Sequence, residues 1–136
     1  LEDPAVRQGK QLFLDAGCDG CHTPSHRTSA DASLEETRDQ KIWPYTDLLL
    51  HDMGEALADG RPVYDASSRE WRTPPLWGLG LVDAVNDHTR LLHDGRARGF
   101  AEAILWHGGE AGTARDAVTK LPPSERSQLL AFLKSL

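Results

Sequence analysis

Five residues near the front of the chain, Cys18-Asp19-Gly20-Cys21-His22, constrain what it can become more than any other stretch. Two thiols three positions apart, followed at once by an imidazole, form the C-x-x-C-H pattern of c-type haem attachment. At that spacing each sulfur can form a thioether to one vinyl group of a porphyrin while the imidazole reaches back to the iron. Two other chemistries use the same residues, a reactive dithiol and a zinc site that adds His22 and His26. These are the only two cysteines, so one chain can build neither a many-bridged scaffold nor a four-cysteine zinc site. The dithiol reading also lacks a βαβ pattern around it. The expected cofactor is therefore haem c, covalent and one per chain. A planar apolar group would supply core surface that a chain so rich in Gly and Pro cannot easily assemble.

The length, 136 residues, is that of one ordinary domain, and a single cytochrome domain over 1–136 is expected. Fifteen basic against 21 acidic residues leave a net charge of −6 with no basic block, which disfavours nucleic acid and anionic lipid as partners. The same balance favours a redox partner protein with a basic face. The longest apolar runs, Leu48–Leu50 and Ile104–Trp106, fall far short of the roughly 20 residues a membrane span needs. Haem attachment of this type takes place outside the cytoplasm, so a periplasmic setting is expected. No basic, apolar leader stands before the motif, and any signal peptide is expected to have been removed.

Regular structure is expected at the two ends. Pro4 to Ala16 reads as a helix with Val6, Gly9 and Phe13 on one side. Gly9 costs about 1 kcal/mol of helix propensity relative to Ala, which is most easily offset where another backbone crosses closely. A second helix should pack there. Apolar residues recur at helical spacing in Phe100, Ala103, Ile104, His107, then in Ala114, Ala117, Val118, Leu121, and again in Leu129, Phe132, Leu133, Leu136. Gly108-Gly109 ends the first of these helices, and Pro122-Pro123 separates the other two. Thr23 to Pro44 reads as polar loop. Tyr45 to Met53 reads as one or two helical turns ending at Gly54, and residues 58–99 as a long connection. The expected fold class is all-α, a cytochrome c-like haem domain with long irregular loops.

Several longer stretches carry a family resemblance. The first helix with its haem motif and the last helix resemble the paired terminal helices of class I cytochromes c. The stretches Pro44 to Gly54, Trp71 to Gly78, Leu92 to Arg96 and Ala103 to Glu110 resemble the C-terminal domain of the dihaem oxidoreductases, a thiol oxidoreductase-like family. That family is related to the bacterial dihaem cytochrome c peroxidases and to the dihaem enzyme that matures methylamine dehydrogenase. The resemblance covers nearly the whole chain. It implies a partner haem as well, because these relatives carry two haem motifs in two domains and this chain carries one. Peroxidase activity therefore does not transfer directly. Within a longer protein, this segment would be the electron-supplying half.

Iron held by His22 leaves its opposite face open, and the group there decides between electron transfer and substrate chemistry. Met53 and His107 are the candidates, 31 and 85 residues after His22. The resemblance favours His107, since the axial residue of the relatives' C-terminal haem follows the short helix after the His-Asp-Gly motif. An iron open on that face is the remaining alternative. His93 in that motif is a candidate haem contact, as is His51, with Asp47 four residues back to orient its ring. Arg72 and Arg96 are candidates to pair with propionates. Trp77 and Trp106 are candidate pocket walls or an electron relay, and His26 and His88 are expected at the surface. The function expected is one-electron transfer. The alternative is a peroxidase-like enzyme acting on hydrogen peroxide, with His93 or Glu110 as its acid or base.

Overall fold

The computed structural model describes residues 3–136. Its first element, α1 (Pro4–Asp15), begins where the Asp3 side chain accepts the Ala5 N–H at 2.8 Å and Pro4 occupies the first turn. It is capped at Ala16, and Gly17, with a φ of 78°, then turns the chain straight into a 3-10 turn over Cys18–Gly20. The last element, α5 (Pro123–Lys134), lies across α1. At the crossing a Cβ on Gly9 would sit 2.0 Å from the Gln128 carbonyl oxygen and 2.8 Å from the Phe132 Cβ. The glycine expected to mark a helix crossing does so.

Phe13, Leu129, Phe132 and Leu133 are buried around that crossing with Tyr45 and Val118. Phe13, Tyr45 and Phe132 meet edge to face, with ring centroids 5.4 to 5.9 Å apart. Phe13 also lies 6.3 Å from the His22 ring. The helix pair thus carries its own core directly to the attachment motif.

Three further helices follow the periodicity or punctuate the connection. They are α2 (Val82–Asn86), α3 (Phe100–Trp106) and α4 (Gly112–Lys120). The all-α expectation is corrected by four short strands, β1 (His26–Arg27), β2 (Lys41–Ile42), β3 (Leu50–Asp52) and β4 (Glu70–Arg72). They form two separate antiparallel pairs, β1 with β2 and β3 with β4. Helix accounts for 45% and strand for 10%, which makes the architecture mixed α/β. The correction falls mainly on Tyr45 to Met53, expected as helical turns. There Tyr45 and Leu48 take left-handed φ values of 54° and 62°, which break a helix, and Leu50 to Asp52 run extended opposite Arg72 to Glu70. Extended backbone so placed satisfies its N–H and C=O groups on a strand distant in sequence.

No helix among the described residues is long and apolar enough to cross a membrane. An apolar cavity of about 300 Å³ opens between α3, α4 and α5, lined by Ile104, Leu105, Val118 and Leu129 among others.

Candidate haem site

His22 follows the turn that carries both cysteines, and its Nδ1–H donates to the Tyr45 carbonyl at 3.1 Å. Tyr45 holds that carbonyl from a buried, left-handed residue, a conformation tolerated where surrounding packing enforces it. Neighbouring backbone bonds fix the same stretch: Thr46 N–H donates to Thr23 (3.0 Å), Asp47 N–H to Cys21 (2.9 Å) and Leu76 N–H to Pro44 (2.8 Å).

Facing His22 is His107, at the C-terminal end of α3, with ring centroids 6.5 Å apart and planes inclined at 44°. Its Nδ1–H donates back to the Ala103 carbonyl at 2.8 Å. Each imidazole therefore has one nitrogen tied to a carbonyl and the other, Nε2, free of any protein partner among the described residues. Neither Nε2 is sealed from solvent. Burial pushes the His22 imidazole down to about 4, with His107 adding to the shift against the opposing Tyr45 bond. Burial also lowers His107, partly offset by its bond to Ala103. Both rings are neutral near pH 7 and hold a lone pair on Nε2, the form that binds a metal.

The thiols point the same way. Burial, then Asp19, pushes Cys18 up to about 11, and burial followed by Asp47 and Glu110 raises Cys21. They are unpaired as a disulfide and lack the lowered pKa of an exchange-active dithiol. The zinc reading fares no better. His26 lies on the surface with Nε2–H on the Thr46 carbonyl at 2.5 Å. Cys21, Asp47 and His51 do bring ligand atoms within 4.8 Å of one another. His51, however, places Nε2 at 2.9 Å from Asp47 and Nδ1 at 2.9 Å from Glu110, so each nitrogen is already engaged by a carboxylate, and a metal at His51 would have to displace one of them.

The turn after His107 is seated on the β3 segment through bare backbone. A Cβ on Gly109 would lie 2.1 Å from the Asp52 carbonyl oxygen, and one on Gly108 would lie 2.8 Å from that of Met53. Met53 itself is half-buried, with its N–H on the Arg69 carbonyl at 2.9 Å. The ring that faces His22 belongs to His107.

The other sequence candidates lie on two further constellations. His93 stacks on Trp71 with centroids 3.5 Å apart and planes 10° from parallel, while Trp71 Nε1–H donates to the Leu57 carbonyl at 3.0 Å. Arg96 spends its charge on Asp94 (2.7 Å) and the Ala56 carbonyl, and its guanidinium lies 4.9 Å from the Trp106 ring centroid. Arg72 is exposed on β4, and Trp77 is 54% exposed on the turn before α2. His88 is exposed.

One member of the site had no sequence signal and another is placed in a role the sequence did not suggest. The Tyr45 carbonyl is anonymous in a sequence, and Glu110, a candidate acid or base for peroxide chemistry, meets His51 across 59 positions. Asp47 and His51 do pair at four-residue spacing, yet on a left-handed turn and a strand rather than on a helix.

The comparison with protein families decides what such a site belongs to. The model of the family described as "Di-haem oxidoreductase, putative peroxidase" matches residues 1–136. The chain belongs to the di-haem oxidoreductase family. Membership implies haem binding and oxidoreductase chemistry, and the donor set fits the group: two neutral imidazoles face each other beside two protonated thiols. No curated protein and no solved structure matches the chain.

His51 gives this family member a defined pH response. Glu110 first and then Asp47 raise its pKa above the ordinary 6.5, while His51 and the Asp52 N–H hold Glu110 below the usual carboxylate range. A raised folded-state value stabilises the fold fully below the unfolded value and loses that contribution as pH climbs through the folded one. The unfolding midpoint of the holoprotein is therefore expected to fall as pH rises above 6.5, and the His51→Gln variant should lack that slope. Thermal unfolding at a series of pH values checks it. A variant that keeps the parent's slope would assign the dependence to other groups.

Proposed function

We propose that this chain is a c-type haem protein that carries out one-electron transfer, in which Cys18 and Cys21 would bond one haem and His22 and His107 would hold its iron. The observation that carries this reading is the facing pair of neutral imidazoles, each oriented by a carbonyl on Nδ1 and free at Nε2. The haem supplies an iron centre that gains and loses a single electron. The residues do the rest. Tyr45 and Ala103 hold each ring in the tautomer that presents its lone pair inward. Phe13, with Tyr45 and Phe132 behind it, packs an apolar wall on the His22 side. Two imidazoles each fixed by a carbonyl would leave little of the protein to reorganise, which suits electron transfer over substrate turnover.

Such a protein works outside the cytoplasm, in the periplasm, and its acidic balance suits a redox partner with a basic face, a second haem domain being one such partner. The family description favours a second reading, reaction with hydrogen peroxide. That reading requires the Nε2 of His107 to give up its position to the substrate.

One experiment separates them. Expressed with a haem-maturation system, the protein should keep its red colour through extraction with acidified organic solvent, and the Cys18→Ala, Cys21→Ala double variant should lose it. The ferric spectrum near neutral pH should be six-coordinate and low-spin, unchanged by hydrogen peroxide. Colour extracted from the parent would overturn covalent attachment, and a high-spin spectrum that responds to peroxide would favour the enzyme.

A further inference from the structure

A continuous line of hydrogen bonds joins the loop of His22 to the turn of His107 without passing through either ring. It starts at the Cys21 carbonyl, which accepts the Asp47 N–H at 2.9 Å. Asp47 Oδ2 then accepts His51 Nε2–H, and Glu110 Oε2 accepts His51 Nδ1–H, both at 2.9 Å. The second oxygen of Glu110 accepts the Asp52 N–H at 3.0 Å. Glu110 lies three residues beyond His107.

The rest of what seats that turn is weaker in direction. Gly108 and Gly109 rest on the Met53 and Asp52 carbonyls by close backbone approach, and Arg115 donates to the His107 carbonyl at 3.0 Å. Close packing opposes movement inward but does little against movement away. A doubly charged-assisted tie through one imidazole opposes separation. The His51 and Asp47 side chains are only 15% and 12% exposed, so water competes little for that half of the bridge, while Glu110 reaches it from the more open side.

We propose that His51, bridging Asp47 and Glu110, is a positioning residue that holds the His107 turn at a fixed distance from the His22 loop and so sets how readily His107 leaves the metal. This rests on the reading of His22 and His107 as ligands. His51 acts through Glu110 and Asp47. Cutting the bridge frees the turn to swing out, and the Nε2 of His107 then departs more often with its lone pair, opening the position to an external ligand.

Cyanide binding to the ferric holoprotein reads this directly. As cyanide concentration rises, the stopped-flow rate should level off at the rate at which His107 departs. His51→Ala and Glu110→Gln are expected to raise that plateau about tenfold or more, equivalent to about 1.4 kcal/mol. His51→Gln, whose amide can donate to one carboxylate, should fall between. Val118→Ala, which opens a gap in the helical core without removing any member of the bridge, should lower the unfolding temperature and leave the plateau unchanged.

Plateaus for His51→Ala and Glu110→Gln within about twofold of the parent would overturn the inference. So would an equal rise in Val118→Ala, since general loosening would then explain the effect. Should His51→Ala yield no holoprotein, Glu110→Gln and His51→Gln carry the test. Failure of the ligand reading appears separately, as a parent ferric spectrum that His107→Ala does not alter.

Discussion

Replacing Gly9 by alanine should lower the stability of the holoprotein by about 3 kcal/mol or more, and replacing it by valine should leave little folded protein to purify. Helix propensity alone predicts the opposite sign, a gain of about 1 kcal/mol for alanine. Contact decides against it, because the added carbon would lie 2.0 Å from the Gln128 carbonyl oxygen and 2.6 Å from its carbon. Both are backbone atoms in the middle of α5, so no side chain can rotate out of the way. Relief requires α1 and α5 to separate, and that uncovers Phe13, Leu129 and Phe132 together. Thermal unfolding with attached haem is the measurement, and a loss of this size corresponds to a drop of about 10 °C for a chain of this length. A Gly9→Ala variant melting within a degree or two of the parent would show that the helices cross farther apart.

The second large effect is spectroscopic. His107→Ala should convert the ferric centre from low-spin to high-spin, with loss of the near-infrared magnetic circular dichroism band of a bis-imidazole centre. Met53→Ala should leave that band in place. The prediction follows from which ring faces His22 at 6.5 Å, and from the Nδ1 bond to Ala103 that aims the free nitrogen of His107 toward it. An unchanged spectrum in His107→Ala together with a high-spin one in Met53→Ala would transfer the ligand role to Met53.

Gly9 was legible in the sequence for a physical reason: a residue unfavourable in a helix has to be compensated by something, and close approach of a second backbone is the commonest compensation. The closing helices were legible because a buried stripe repeats every three or four residues, a signal contained within each segment. The strands β3 and β4 were not. Leu50–Asp52 and Glu70–Arg72 are extended because they pair with one another, and nothing within either segment records its partner. The left-handed conformations of Tyr45 and Leu48 escape a sequence reading for a similar cause, since neither residue favours that region and tertiary contacts impose it.

The site divides along the same line. Cys18, Cys21 and His22 announce themselves by spacing, because the chemistry they serve has fixed dimensions. His107 rose above other histidines through its place after a short helix and before two glycines, a pattern the family resemblance made meaningful. The Tyr45 carbonyl carries no such mark, because a main-chain oxygen has no letter of its own, and Glu110, though a candidate acid or base, carries no sign that its partner is His51, 59 positions away. Sequence thus exposes the side chains that make up a motif more readily than the groups that aim them.

The glycine pair at 108 and 109 has a consequence for how such a site can change. Main chain rests on main chain at Gly108 and Gly109, a contact to which the side chain of residue 107 contributes nothing. The frame is a socket and the side chain at 107 a removable plug, so what this face offers opposite His22 can be altered by a single substitution while the backbone seat stays as it is.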